Sequence, residues 1–526
     1  MIVAGIDFGT LSVRVSIVDP SVGIIGTASA GYPLHKDPSD PYLATQSHSD
    51  HLQGLVTAMA GALSDAKVSG NAVAALAIAT TGSSVLPVDR HLQPLGDYYL
   101  WCDHRAQSEA DEITRKAREM QLEALQWCGG TYSPEWGFAK LLHWLRTHPE
   151  GHTQFATALE HGDMMVATLC GRTDPDSVSR GVCAMGHKWM WNESLGGLPP
   201  QEFFTAVDPN FRGIRVKFGG TYGAVDEIAG YLSADWGEQL GLRAGLPIPF
   251  PELDAHSDAV GAGIRLGDIV NVLGTSTCIM ALSDRAAPIP GVCGVVHRSI
   301  HPKLAGIEAG LSACGALFDA IALRSGRSLT DLSREIGDYR PGQTGLLRLP
   351  WDNGDRTILG NAALRGVTLG WNLAHTAADE LFAALEGTAF HTKVILDHLG
   401  AFRVPSARVI NTGGLPQHMP AINQLYANVL NKPVRAPKQA ATGLGSAIFA
   451  SVAAGAFSCI DDAQDALCPE YREYQPDTRA VPVYEELYDA FREIYFLFGD
   501  GGPAAQSTDG VLKTLRTASQ GAHHGA

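Results

Sequence analysis

An aspartate at position 7 stands directly before a Gly-Thr turn, and the pattern around that turn recurs 265 residues later. Residues 9–19 read GTLSVRVSIVD and residues 274–284 read GTSTCIMALSD, each after an apolar run. Small turn residues let backbone N–H groups and hydroxyls approach an anion that a bulkier turn would exclude. Thr10 and Ser12 in the first turn, and Gly274, Thr275 and Ser276 in the second, are therefore candidate phosphate contacts. Two such turns suit a polyphosphate held from both sides. A carboxylate beside such a cradle suits a hydrated Mg²⁺, which is the reading for Asp7. Arg14, two strand positions beyond Ser12, could reach the phosphates or Asp7.

Two further places carry chemistry. Asp254, in PELDAHSDAVGAG, follows an apolar strand and precedes a Gly/Ala-rich helix. A carboxylate there could accept the proton of an alcohol as phosphate moves onto it. Asp258, one helical turn later, competes for the role, although its plainer reading is a polar residue on an exposed helix face. Gly413-Gly414, after the apolar ARVINT, leaves backbone free to lie against a flat ring or ribose, and is assigned to the adenosine end of a nucleotide.

The elements that must position these groups alternate. Strands are expected at 2–8, 12–19, 73–79, 269–273, 277–282 and 407–411. Helices are expected at 47–66, capped by Ser47 or Ser49, and at 103–118. Another is expected at 134–147, with Ser133 as cap and Pro134 at its first position, and more at 377–399, 418–430 and 443–455. Alternating strands and helices indicate an α/β fold. The repeated hairpin indicates two similar domains, 1–262 and 263–498, flanking a ligand cleft, with residues 499–526 as a flexible tail. The small residues of 443–455 are read as permitting close helix packing.

Composition narrows the function. The net charge of −16 argues against nucleic acid or an anionic membrane as partner, since both need a basic footprint. Nine scattered cysteines, with no C-x-x-C pair and no metal-like Cys/His spacing, read as reduced thiols. With neither a signal segment nor an apolar run long enough to span a bilayer, the expected location is the cytoplasm.

At this point a resemblance is specific. The segments IDFGTLSVRVSIVD, TTGSSVLPVD, LWCDHRAQSEADEI, GGTYSPEWGFAKLLHWLR, SRGVCAMGHKWMWNESLGGLPP, ELDAHSDAVGAG, VLGTSTCIM and GIEAGLSACG resemble the FGGY carbohydrate kinases, and most of all their ribulokinase branch. The resemblance implies two ribonuclease-H-like, actin-like ATPase domains. It also implies ATP and Mg²⁺ as cofactors, and transfer of phosphate to the C5 hydroxyl of a ketopentose, L-ribulose above all, in arabinose catabolism. It implies Asp254 as catalytic base and Lys188 and Glu308 as sugar ligands. Gly82, Trp101 and Asp103 become sugar-side residues, and Thr10, Gly274, Thr275, Gly413 and Gly414 nucleotide contacts. A homodimer is consistent with it.

Two positions depart from the ribulokinase pattern. Ala79 stands where an acid is common, and Cys102 where a lysine is common. The stretch between Gly326 and Pro350 is also short. A kinase for another ketose or sugar alcohol, such as D-ribulose, a tetrulose or a pentitol, is therefore an alternative. More distant ones are an actin- or chaperone-like ATP switch and a sugar-sensing regulator on a kinase fold.

Overall fold

The computed structural model describes residues 1–439 and 443–499. The proposed tail therefore lies, beyond Gly499, outside the described residues. Two of the sheets position the candidate site. In the N-terminal one, five strands run in the order Glu252–Leu253, Val73–Thr80, Ile2–Phe8, Ser12–Asp19, Gly23–Gly31. The first three are mutually parallel and the last three antiparallel.

The C-terminal sheet has seven strands, and its inner five repeat that plan. Val434–Pro437, Arg408–Thr412 and Asp268–Leu273 are parallel, and Thr277–Ser283 and Ala305–Leu311 follow antiparallel. The repeat noticed at the two Gly-Thr turns is thus a repeat of whole sheets. Phe8 pairs with Val13 across the first turn and Leu273 with Thr277 across the second. The strands feeding both turns are almost wholly buried, as their unbroken apolar runs require of central strands.

One apolar core joins the two sheets. Val3, Val18 and Ala75 from the first share it with Val270, Met280 and Ile410 from the second, bridged by Leu444, Ala447 and Ile448. The helix Leu444–Ala453 comes this close because of glycine. A Cβ on Gly445 would sit 1.8 Å from the Ser257 carbonyl oxygen, and one on Gly5 would sit 2.6 Å from the Ala447 nitrogen. The packing role expected for the small residues of this helix is what the structure shows.

Several expected boundaries shift. The helix expected at 103–118 is Gln107–Glu119, and that expected at 134–147 is Gly137–Thr147. Ser133-Pro134 belongs to a turn, in which the Ser133 hydroxyl accepts the Glu135 N–H at 3.2 Å and its carbonyl accepts that of Trp136. Ser47 does hold the N-cap position of His48–Ala66, but its hydroxyl pairs with that of Ser49 and caps no N–H. The helix expected at 418–430 splits into Gly414–His418 and Ala421–Leu430. The long helix Ala377–Ala401 is closed at its start by a Thr376–Asp379 capping box.

Candidate active site

The parallel strands of the N-terminal sheet end together. Phe8 and Thr80 are register partners, as are Thr80 and Leu253, so Asp7 and Asp254 both emerge at the carboxyl ends of the two strands that flank Val73–Thr80. Ligands of open α/β sheets bind at such ends. Asp254 opens the helix Asp254–Gly261, and its Oδ1 accepts the Ala255 N–H at 2.7 Å.

A cavity of about 190 Å³ opens in front of these ends, below the roughly 300–1,000 Å³ of drug-sized sites. Its walls include Thr10, Gly82, Trp101, Lys188, Asp254, Gly274, Thr275, Ser276 and Glu308. Most of the expected sugar-side residues and both Gly-Thr turns therefore face one space. The cleft is bridged across the two halves. Lys188 Nζ donates to both oxygens of Glu308 at 2.8 Å. Burial works against the lysine charge, and Glu308 outweighs it, so the Lys188 pKa is raised. Burial likewise works against the Glu308 charge, and Lys188 and His256 overcome it, leaving that pKa well below the ordinary carboxylate range.

The acids at the strand ends behave in the opposite way. Burial, reinforced by the Asp254 carboxylate, pushes Asp7 up to about 7, against the pull of Arg14. Asp254 rises to about 6, chiefly through burial. Asp258 is raised well above the usual range by burial and by those same two acids. It lines the cavity, so its reading as an exposed helix-face residue is corrected: the first turn of the helix points inward there. Three mutually repelling carboxylates with Arg14 as the counter-charge make a donor set that fits a hydrated divalent cation.

Not every expected residue reaches the cavity. Asp103 is buried elsewhere, with its carboxylate taken by the Arg105 guanidinium and the Ala44 N–H, so it is not placed to meet a sugar. Arg14 lies opposite Asp7 on the neighbouring strand, outside the cavity wall, with its Nε 3.4 Å from Ser29 Oγ. Ser12 contributes its carbonyl to close the first turn, accepting the Gly9 N–H. Gly413 and Gly414 stand beyond the cavity, behind the second turn. Gly413 has φ +94° and lies against Leu273, where a Cβ would meet that carbonyl oxygen at 2.5 Å. Ala79 and Cys102, the two departures from the ribulokinase pattern, do not line the cavity either.

Other wall residues carried no sequence signal. Arg356 and Glu135 face each other from the two halves at 3.8 Å. Burial raises the Glu135 carboxyl, but Arg356 and then His104 bring it down to about 2. Arg356 is held between Asp355, which accepts from Trp351 and Tyr495, and Thr357, which accepts the Gly310 N–H. His256 is another wall residue. With Cys183 and His187 it brings a thiol and two imidazoles within 4.8 Å of one another, a grouping that no Cys/His spacing in the sequence signals. All nine cysteines are free thiols, and no described helix is long and apolar enough to cross a membrane.

Comparison with known proteins agrees with this geometry. Models of the N- and C-terminal domains of the FGGY family of carbohydrate kinases match residues 2–185 and 269–454. The chain is 34% identical to a ribulokinase of Shouchella clausii, covering 98% of each chain. It is 31% identical to a ribulokinase of Vibrio parahaemolyticus over 94% of this chain and 95% of that one. A solved kinase of Brucella ovis, titled a xyloylose kinase, shares the fold with a TM-score of 0.82 at 19% identity, covering 94% of this chain and 99% of its own. With paired domains, a cleft between them and two Gly-Thr turns facing it, the chain belongs to the FGGY family of carbohydrate kinases, which are ATP-dependent sugar phosphotransferases.

Proposed function

We propose that this kinase phosphorylates the C5 hydroxyl of a ketopentose, L-ribulose above all. The observation that carries the reading is the joining of Lys188, Glu308 and Asp254 in one small cavity, beside both Gly-Thr turns. A cation and two carboxylates offer a polyol both donors and acceptors. The near-full-length similarity to proteins named ribulokinase supports the sugar.

In this reading residues 1–262 bring most of the sugar wall and residues 263–498 most of the nucleotide site. Lys188 and Glu308 orient the sugar, with Trp101 and the Gly82 backbone as further wall. Asp254 accepts the C5 hydroxyl proton as the oxygen attacks the γ-phosphorus and the β–γ bridging bond breaks. Thr10, Gly274, Thr275 and Ser276 hold the phosphates, and Gly413-Gly414 flanks the adenosine. Asp7 and its neighbouring acids would hold Mg²⁺ through water, an ion that offsets charge on the transferring group. Closure of the cleft excludes water as a competing acceptor. The nine free thiols suit a reducing compartment, the cytoplasm.

The test is ADP release with ATP and Mg²⁺ across ketopentoses, tetruloses and pentitols. Turnover is expected to be strongest on L-ribulose. Preference for D-ribulose or another polyol would keep the phosphotransfer assignment and overturn the sugar.

A further inference from the structure

Arg356 lines the cavity with its donors unspent. Its side chain is 15% exposed, yet its guanidinium hydrogen-bonds no other described residue, and its Nε is enclosed without a partner. Glu135, from the opposite half of the chain, also lines the cavity, with Oε1 3.8 Å from Arg356 Nη2. That gap is too long for a hydrogen bond, so the donors of one residue and the acceptors of the other are left for a ligand.

We infer that Arg356 and Glu135 hold the hydroxyketone end of the sugar. The guanidinium donates to the C2 carbonyl and the carboxylate accepts from the C1 hydroxyl, which makes Arg356 a specificity-determining residue for ketoses. The inference rests on the ketopentose reading above and names a contact that reading lacks. The chemistry of the substrate requires such a contact. In the furanose ring of a ketopentose the C5 oxygen is bonded to C2, so a C5 hydroxyl is free only in the open chain, where C2 is a carbonyl. A carbonyl oxygen accepts hydrogen bonds and donates none, and it is costly to bury without a donor. Lys188, the other long-chain cation on the wall, is already committed to both oxygens of Glu308. Arg356 is free to supply the donor, and Glu135 the acceptor for the neighbouring C1 hydroxyl.

The placement agrees. Thr357 Oγ1 accepts the N–H of Gly310, two residues along the strand from Glu308, so Arg356 stands beside the Lys188–Glu308 bridge. The Glu308 charge acts on both Asp254 and Arg356. A sugar whose C5 meets Asp254 therefore runs past this bridge toward Arg356. The competing occupant is a phosphate oxygen of the nucleotide, and Glu135 argues against it. With its carboxyl held at about 2 it is ionised, so the pair carries no net charge and its carboxylate repels an anion.

The test uses the full chain with ATP and Mg²⁺. Arg356→Met should raise the KM for the preferred ketopentose by about 10–100-fold, the worth of one charge-assisted hydrogen bond, with the KM for ATP at the parent value. Glu135→Gln should weaken that sugar about fivefold and leave its 1-deoxy analogue, which lacks the hydroxyl in question, unaffected. An unchanged sugar KM in Arg356→Met, or a rise in the KM for ATP instead, overturns the assignment of Arg356. An equal loss on both sugars in Glu135→Gln overturns that of Glu135. Should the variants not fold, the parent decides, with ADP and the ketopentose labelled with ¹³C at C2. A ketone resonance for the bound sugar is expected, and a hemiketal resonance sinks the inference. A parent that turns over pentitols in preference to every ketopentose refutes the ketopentose reading, and the inference with it. A parent that prefers a ketopentose keeps that reading whatever Arg356→Met shows.

Discussion

Lys188 Nζ sits 2.8 Å from each carboxylate oxygen of Glu308, and the two residues come from opposite halves of the chain. The cleft is thereby bridged by polar groups that also line the candidate cavity. Removing one partner leaves a buried charge unpaired. Lys188→Met is expected to lower stability by roughly 3–5 kcal/mol in urea denaturation. Pairing it with Glu308→Leu should recover much of that loss while sugar-dependent turnover stays absent. A single variant as stable as the parent would show the pair to be hydrated.

The Asp254 carboxylate is expected to be indispensable to turnover and dispensable to nucleotide binding. Asp254→Asn should cut kcat by about 10²–10⁴ while leaving the ADP affinity, measured by calorimetry, near the parent value. Full turnover in this variant would remove Asp254 from the mechanism.

Only the ionised carboxylate can accept a proton, and burial raises Asp254 to about 6. In the parent, kcat/KM for the sugar should therefore fall as the pH drops below about 6, approaching tenfold per unit. A flat profile down to pH 5 would mean that a different group takes the proton.

Asp7 links stability to pH with the less familiar sign. Its folded pKa of about 7 exceeds the ordinary 3.8, so the folded state binds the proton more tightly than the unfolded one. The ionised residue is then a cost to folding, absent below pH 3.8 and complete above pH 7. Asp7→Asn should raise Tm at pH 8, by on the order of a few kcal/mol of stability, and show no such gain at pH 4. The same variant should lose the Tm increase that Mg²⁺ with ADP gives the parent. Equal Tm values for variant and parent at pH 8 would contradict the burial of this charge.

Gly82 presses on the residue next to the base. A Cβ there would lie 2.2 Å from Leu253 Cδ2, in a packed position. Gly82→Ala should push Leu253 and with it Asp254, lowering kcat by about tenfold or more with little change in the KM for ATP. Unchanged kcat would mean that Leu253 yields without moving Asp254.

Much of this was legible because it is local. Both Gly-Thr hairpins combine an apolar run, small turn residues and a second alternating run, a signal complete within about twenty residues. Asp258 was misread because four residues of spacing on a short helix do not say which face is buried; the answer lies in the acids opposite it. Asp103 was misassigned because the W-x-D spacing places the carboxylate without revealing that Arg105, two residues on, engages it. Arg356 gave no signal at all. Its place depends on Tyr495 and Gly310 holding its two neighbours, contacts made by parts of the chain far from it in sequence. The helix expected at 134–147 begins late because the Ser133 hydroxyl serves a turn.

The indole N–H of Trp101 donates to Thr10 Oγ1 at 3.0 Å, which ties the proposed sugar wall to the proposed phosphate turn through one hydroxyl. The hydroxyl can accept the indole N–H and donate its own proton to a phosphate at the same time, so a phosphate bound there would hold the indole in place rather than displace it. Whatever free energy one ligand gains through this link, the other gains equally. On the proposed assignment the two substrates are expected to bind as a thermodynamically coupled pair, with the affinity measured for either rising with the concentration of the other.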